Sequence, residues 1–325
     1  MTRDEYVHEL AVKCSKDHVL FPIEKEIFKY NKECEMRKKF DLNLINSEAE
    51  HVLKYLFDFK DSVTVDLYFE RVRSYLCNVL YIEKNLSEKH IAPSLENKEV
   101  CKQIFSAVLI MMYLPLSLDY LPKTKSYKIN EEIDYDDTNP KSVLYTVAIN
   151  VKDFMKRIPE EYFISPASTK YHGAFSGGLM YHSLGVLKSV LDTCDVYLTD
   201  KFHIKYPNES CVDIGIRHYI CANLAAILLH DFCKVGKYKF IEDKNKYEYN
   251  YDSDPSFQHG AESYRRIIRE GFHLSKEWEL AVVYHMGVFD VSKQEMTDFS
   301  SIAEKVPEVL LLHHADMISS KILHL

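Results

Sequence analysis

Residues that break regular structure are scarce in this 325-residue chain: nine glycines, ten prolines and no low-complexity tract. So few forced interruptions exclude a fibrous or low-complexity protein and make mostly helical structure the expectation. The eight cysteines form no CxxC pair, and the opening "MTRDEYVHEL" lacks the apolar core of a signal peptide, so reduced thiols and a cytoplasmic setting are expected. Acidic residues, 49 in all, outnumber the 41 basic ones. A net charge of -8 and a pI near 6.0 give no global attraction to nucleic acid or an anionic membrane, so a polyanionic substrate needs a local countercharge. Long apolar runs are also lacking: "IFSAVLIMMYLPLSLDYL" from Ile104 is interrupted by Pro115, short of the ~20 residues a span requires. It reads as a buried helix.

What is present is a globular composition, 46% hydrophobic and 28% charged, in a chain long enough for one large domain or two ordinary ones. Residues 1–140 read as a helical region without a chemical motif; in "SEAEHVLKYLFDFK" Ser47 is placed to cap and Glu48 and Glu50 suit a first turn. The acidic stretch over 130–142 reads as a linker or surface loop, and 141–325 as a second, chemically richer domain. Eleven of the fifteen histidines fall there. "GIRHYICANLAAILLHDFCKVGKY" predicts a helix through about Asp231. "YKFIEDKNKYEYNYD" alternates about "DKN" and predicts a β-hairpin. Two further helices are expected to stop at Gly271 and Gly287, and Pro307 to open the last one. The fold class is therefore all-α, a helical bundle with a small hairpin insertion.

Histidine followed by aspartate at the end of an apolar segment is the chemical signal, because a buried, unpaired carboxylate is costly and a metal ion offsets that cost. The phrases "GGLMYHS", "LLHDFCKVG", "QHGAES", "VVYHMG" and "HHADM" follow in order. In that order they resemble the HD superfamily of metal-dependent phosphohydrolases, whose pattern is H, HD, H, H, D; the resemblance covers roughly 160–320. It implies His182, His230, Asp231 and Asp316 as ligands of a first metal, and His259 and His285 as ligands of a second, with Asp231 bridging. Imidazole and carboxylate together suit Mn, Fe, Ni, Co or Zn, with Mg also compatible. The implied reaction is hydrolysis of a phosphomonoester or phosphodiester, of a nucleotide, by a metal-activated water. "SPASTKYHGAFSGGLMYHSL" most resembles bacterial HD proteins related to the 3'-to-5' exoribonuclease branch, whose strand-rich OB module has no counterpart here. That puts RNA in doubt as the substrate and makes 3'-to-5' exonucleolytic trimming of short single-stranded nucleic acid the alternative reading, with nucleic acid a less favoured partner; a non-catalytic metal-binding sensor is a third.

Around this core stand residues with two readings each. Lys234 is either a cation near a helix C-terminus or the clamp that neutralises a substrate phosphate and charge developing on phosphorus; HD enzymes often carry such a lysine, and the second role is expected. Lys170 is a looser candidate of the same type. His172 can bind phosphate or cap a turn. His313 and His314 read as structural or supporting. The tyrosines Tyr247, Tyr249 and Tyr251 alternate onto one strand face, where they either pack the hairpin on the bundle or form a lid that stacks on a base; packing is the expectation. The expected substrate is a small phosphorylated compound, without a membrane; the oligomeric state is open.

Overall fold

The computed structural model describes residues 51–57, 62–86, 92–128, 143–205, 209–251, 258–287 and 293–323. The cap expected at Ser47 and the loop expected over 130–142 lie outside the described residues. A short helix α1 (51–57) leads to strand β1 (Ser62–Thr64), then helices α2 (Val65–Leu86) and α3 (Leu95–Tyr113). Strands β2 (Asp119–Leu121) and β3 (Ser126–Lys128) follow, then α4 (Val143–Arg157) and the long α5 (Gly178–Lys205). Next come α6 (Glu209–Ala222), α7 (Leu224–Leu228), the hairpin β4 (Tyr238–Ile241) and β5 (Lys246–Tyr249), α8 (His259–Arg269) and α9 (Lys276–Tyr284). Helices α10 (Lys293–Lys305) and α11 (Pro307–Met317) end the described chain, α11 continuing into a wider π-type turn at Ile318–Leu323. The protein is mostly helical, as its few breakers predict.

Helix α5 is the axis. Every residue from Leu179 to Leu187 is buried, and a helix apolar on all sides belongs at the centre of a bundle rather than on its surface. Helices α2, α6 and α11 lie against it. Its first turn follows Gly177, which takes the left-handed φ of 84° that lets the loop before it swing into the helix. Helix α3 starts at Ser94, whose Oγ accepts from the Asn97 amide at 3.0 Å. By length and composition it could cross a membrane, yet 72% of its most apolar window is buried inside the protein, and Phe105, Val108 and Leu109 are fully buried in the core. The apolar cluster runs without interruption from Val52 to Ala315. Among the described residues the cysteines Cys77, Cys194, Cys221 and Cys233 are free thiols.

Helix stops and starts follow local chemistry. Gly271 and Gly287 take φ of 80° and 59° just beyond α8 and α9, and Pro307 occupies the first turn of α11, where its missing N–H costs nothing. Two departures from expectation matter. A three-stranded antiparallel sheet, ordered β1-β3-β2, sits in the region expected to be helical, with Tyr127 of its central strand fully buried. Strands of three residues are too short to show a period of two in the sequence. The second departure is a break in the helix expected to run through Asp231. At Asn223 the side chain donates to the Tyr219 carbonyl at 2.8 Å, competing for a ladder acceptor, and the chain restarts as the single-turn α7 before a 3-10 turn at Phe232–Lys234. His230 and Asp231 therefore sit in a tight turn, not on a helix end.

Candidate metal centre

That turn controls the site. The His230 ring folds back so that Nδ1–H donates to the Ile227 carbonyl at 2.9 Å, and His285 makes the same bond to Val282 at 2.7 Å. For His182 the partner is Ser319, whose hydroxyl lies 3.2 Å from Nδ1 and 3.1 Å from the His182 carbonyl. When Ser319 donates to that carbonyl, it accepts from Nδ1–H. Three imidazoles are thus oriented through Nδ1 with Nε2 turned inward, the orientation that ligating histidines need.

What they face is Asp231, 2% exposed, and its two oxygens look in different directions. Oδ2 lies 3.4 Å from His182 Nε2, 3.7 Å from His230 Nε2 and 2.6 Å from Lys234 Nζ. Oδ1 lies 2.5 Å from His259 Nε2 and 3.4 Å from His285 Nε2. Asp316 completes the first group, its Oδ1 3.0 Å from His182 Nε2 and 3.9 Å from His230 Nε2. The fold brings all six expected ligands together as two groups, His182, His230, Asp231 and Asp316 in one, Asp231, His259 and His285 in the other. Within each group the ligand atoms lie within 4.8 Å of one another.

Do these residues fit a cation? The buried His285 Nε2 has no hydrogen-bond partner among the described residues, and the Nε2 atoms of His182 and His230 face each other at 3.3 Å. Buried polar atoms are ordinarily satisfied, so inward-facing nitrogens beside two carboxylates fit an ion better than they fit one another. The two His/Asp groups could therefore hold a metal ion.

The charges are strongly coupled. Burial penalises the His182 imidazolium, but the hydrogen bonds and charges of Asp231 and Asp316 outweigh it and hold the ring up at about 9. His259 behaves alike, its burial overcome chiefly by Asp231, at about 10. For His230 burial dominates and pushes it down to about 3. Asp231 is held well below the carboxylate range despite burial, chiefly by the Lys234 charge, and Asp316 is lowered by His182. The Lys234 ammonium, penalised by burial, is in turn held above its usual value by Asp231.

The other expected residues divide. Lys234 joins the cluster directly. His172 stands at its edge, its ring centroid 5.2 Å from that of His182, pushed down to about 4 by burial and then by the charges of His182 and Lys234. Lys170 is exposed, and among the described residues no hydrogen bond or ion pair ties it to the cluster. The expectation for the tyrosines needs correction. Only Tyr247 packs; Tyr249 is 41% exposed, and Tyr251 lies beyond the end of β5 at 86%, because the strand stops before it.

Among the supporting residues His313 has the structural role its sequence reading expects, whereas Glu262, Ser263 and Gly260 carry no signal of their own in the sequence. His313 Nδ1 donates to the His285 carbonyl at 2.6 Å, so α11 fixes the end of α9 from which His285 projects. The buried Glu262 binds Arg265 and Arg266, and Arg266 donates to the Val235 carbonyl at 2.7 Å, pinning the turn that carries Lys234. Ser263 Oγ accepts from the Cys233 amide at 3.2 Å. Gly260 lets α8 approach α9 closely: a Cβ there would stand 2.1 Å from the Val283 carbonyl oxygen, which is how His259 comes within 5.4 Å of His285, ring to ring. Spacing within "QHGAES" was the available hint, since it quotes Gly260, Glu262 and Ser263 beside His259. A separate cavity of about 490 Å³, lined by Lys201, Lys276 and Lys305 among others, includes none of the ligand residues. Comparison of the chain with protein-family models, with curated proteins and with solved structures finds no match to any of them.

Proposed function

We propose that the chain is a metal-dependent phosphohydrolase of the HD type, which cleaves a phosphomonoester or phosphodiester bond of a nucleotide. The observation that carries this reading is Asp231, whose two carboxylate oxygens each belong to a different group of inward-facing histidines while Lys234 stands 2.6 Å from one of them. Bound there, divalent transition ions polarise phosphoryl oxygens and acidify water. The chain's own residues do the rest. His182, His230 and Asp316 hold the first ion, and His259 and His285 the second, in a site dry enough for charges to act strongly. Lys234 takes the substrate phosphate once an ion supplies the positive charge that Asp231 now draws from it, and it stabilises negative charge growing on the phosphoryl oxygens. His172, neutral at pH 7, donates or accepts a hydrogen bond at the rim.

The test is metal analysis of protein purified without chelator, then a phosphatase and phosphodiesterase panel with Mn, Ni, Co and Mg. His182→Ala is expected to lower first-ion occupancy sharply, and His285→Ala only the second. Equal loss of both ions in each variant would defeat the two-group assignment, and a metal-free, inactive wild type would defeat the reading. A supporting residue gives a finer test. His313→Leu is expected to weaken one ion of the two by roughly 10- to 100-fold, as loss of a ligand-orienting partner does. His313→Asn, which keeps a donor near the Nδ1 position, is expected to recover most of it in the same metal titration.

A further inference from the structure

In the antiparallel hairpin Tyr238 lies opposite Tyr249, and Phe240 opposite Tyr247. Directly opposed residues share a face and so do residues two apart, so these four rings form one aromatic surface. Its far half is covered. Tyr247 is 4% exposed, its ring is 5.3 Å from that of Phe240, and its hydroxyl donates to the Ile164 carbonyl at 3.3 Å. The near half is open. From Tyr238 the rings continue to Tyr249 at 6.3 Å and on to Tyr251 at 5.1 Å, with Tyr249 41% and Tyr251 86% exposed.

The open half is also the half tied to the metal-site turn. The Lys237 amide donates to the Lys234 carbonyl at 3.0 Å. Asn250, between Tyr249 and Tyr251, donates from its amide to the Lys237 carbonyl at 2.8 Å and from Nδ2 to the Gly236 carbonyl at 3.2 Å. An aromatic surface that leaves the core at the turn carrying Lys234 and ends in exposed rings has the makings of a stacking platform. Tyr249 and Tyr251 stand one and two rings beyond Tyr238.

We propose that the exposed rings of Tyr249 and Tyr251, which continue from the half-buried Tyr238 and are rooted on the turn that carries Lys234, seat the nucleobase of the phosphorylated substrate. This rests on the phosphohydrolase reading and assigns the part of that site which selects a base-bearing phosphate over a plain one. The platform tolerates any base, since every base has a π-face.

The test uses the full chain loaded with Mn and two probes, adenosine 5'-monophosphate and glycerol phosphate, with binding by calorimetry and hydrolysis by phosphate release. In the Tyr249→Ala/Tyr251→Ala double variant, nucleotide affinity is expected to fall about tenfold or more, from the usual strength of base–aromatic stacking, while glycerol phosphate is unaffected. The Tyr249→Phe/Tyr251→Phe variant, which keeps both rings, should retain nucleotide binding. An equal loss for both probes, no loss for either, or no nucleotide binding by wild type would overturn the platform. Tyrosine-dependent nucleotide binding without hydrolysis under any metal would overturn the phosphohydrolase reading and leave the platform standing. Hydrolysis indifferent to the tyrosines would do the reverse.

Discussion

Asp231→Ala is expected to strip both ions at once and to abolish hydrolysis, because this is the one residue common to the two ligand groups. Other ligand variants remove a donor from one group; here each group loses an oxygen, since Oδ2 faces His182 and His230 and Oδ1 faces His259 and His285. A loss of about 4 kcal/mol of transition-state stabilisation, reasonable for two missing ions, is roughly 10³-fold in rate. Asp316→Ala supplies the contrast, with the first ion lost and the second kept. Folding must be checked alongside. The variant leaves Lys234 without its buried counter-charge, and an uncompensated buried charge commonly costs about 3–5 kcal/mol. Asp231→Asn keeps the volume and one oxygen, so a folded, metal-poor Asp231→Asn protein separates loss of ligation from loss of fold. If Asp231→Asn kept both ions at wild-type occupancy, the carboxylate would not be the shared ligand.

The second large effect is on stability, and it changes with pH differently in the chelated and the loaded protein. In the chelated state His182 and His259 are held at about 9 and about 10, above the ordinary 6.5. The folded chain therefore binds protons that the unfolded chain has released, and the stability this gives is full below about 6.5 and lost as pH rises through 9 to 10. His230 and His172 have the opposite sign. They are held at about 3 and about 4, so their contribution is present above 6.5 and lost as pH falls toward those values. The depressed Asp231 and Asp316 add to the acid-side loss only below the ordinary carboxylate value of 3.8. From these groups the chelated protein should be most stable near pH 6.5.

Ion binding removes the alkaline arm, because a ligating imidazole must give up its proton. The loaded protein should hold its melting temperature between pH 6.5 and 9 while the chelated one falls, the gap widening by something on the order of 5 °C. Thermal melts at four or five pH values, with chelator and with saturating Mn, give both curves. A gap that stayed constant or narrowed with rising pH would show that the ions do not displace protons from His182 and His259.

Much of this site was legible in the order of short phrases along the chain. Residue chemistry marks "LLHDFCKVG" as costly to bury without a cation, and "GGLMYHS" and "HHADM" offer the partners. Scarcity of glycine and proline was enough for the helical class, and the alternation about "DKN" for the hairpin, whose turn takes a left-handed Asn245. Local periodicity and turn chemistry are properties of neighbours, so a sequence displays them. Contacts between distant segments are not displayed in that way. Ser319 meets His182 across 137 residues and His313 meets the His285 carbonyl across 28, and neither serine nor histidine announces such a partner.

The same division explains the departures. A carboxamide at Asn223 competes with its own helix where the chain turns His230 and Asp231 off it, and the central one of the three-residue strands carries Tyr127 into the core. Sequence alone determined which side chains were able to ligate and that most of the chain would be helical, because donor chemistry and breaker content belong to the residues themselves. Tertiary structure decided which oxygen of Asp231 faces which histidines, which imidazole nitrogen is left bare, and which hairpin rings stay uncovered. Those depend on how α5, α9 and α11 pack around one turn, and packing is a property of the assembled core.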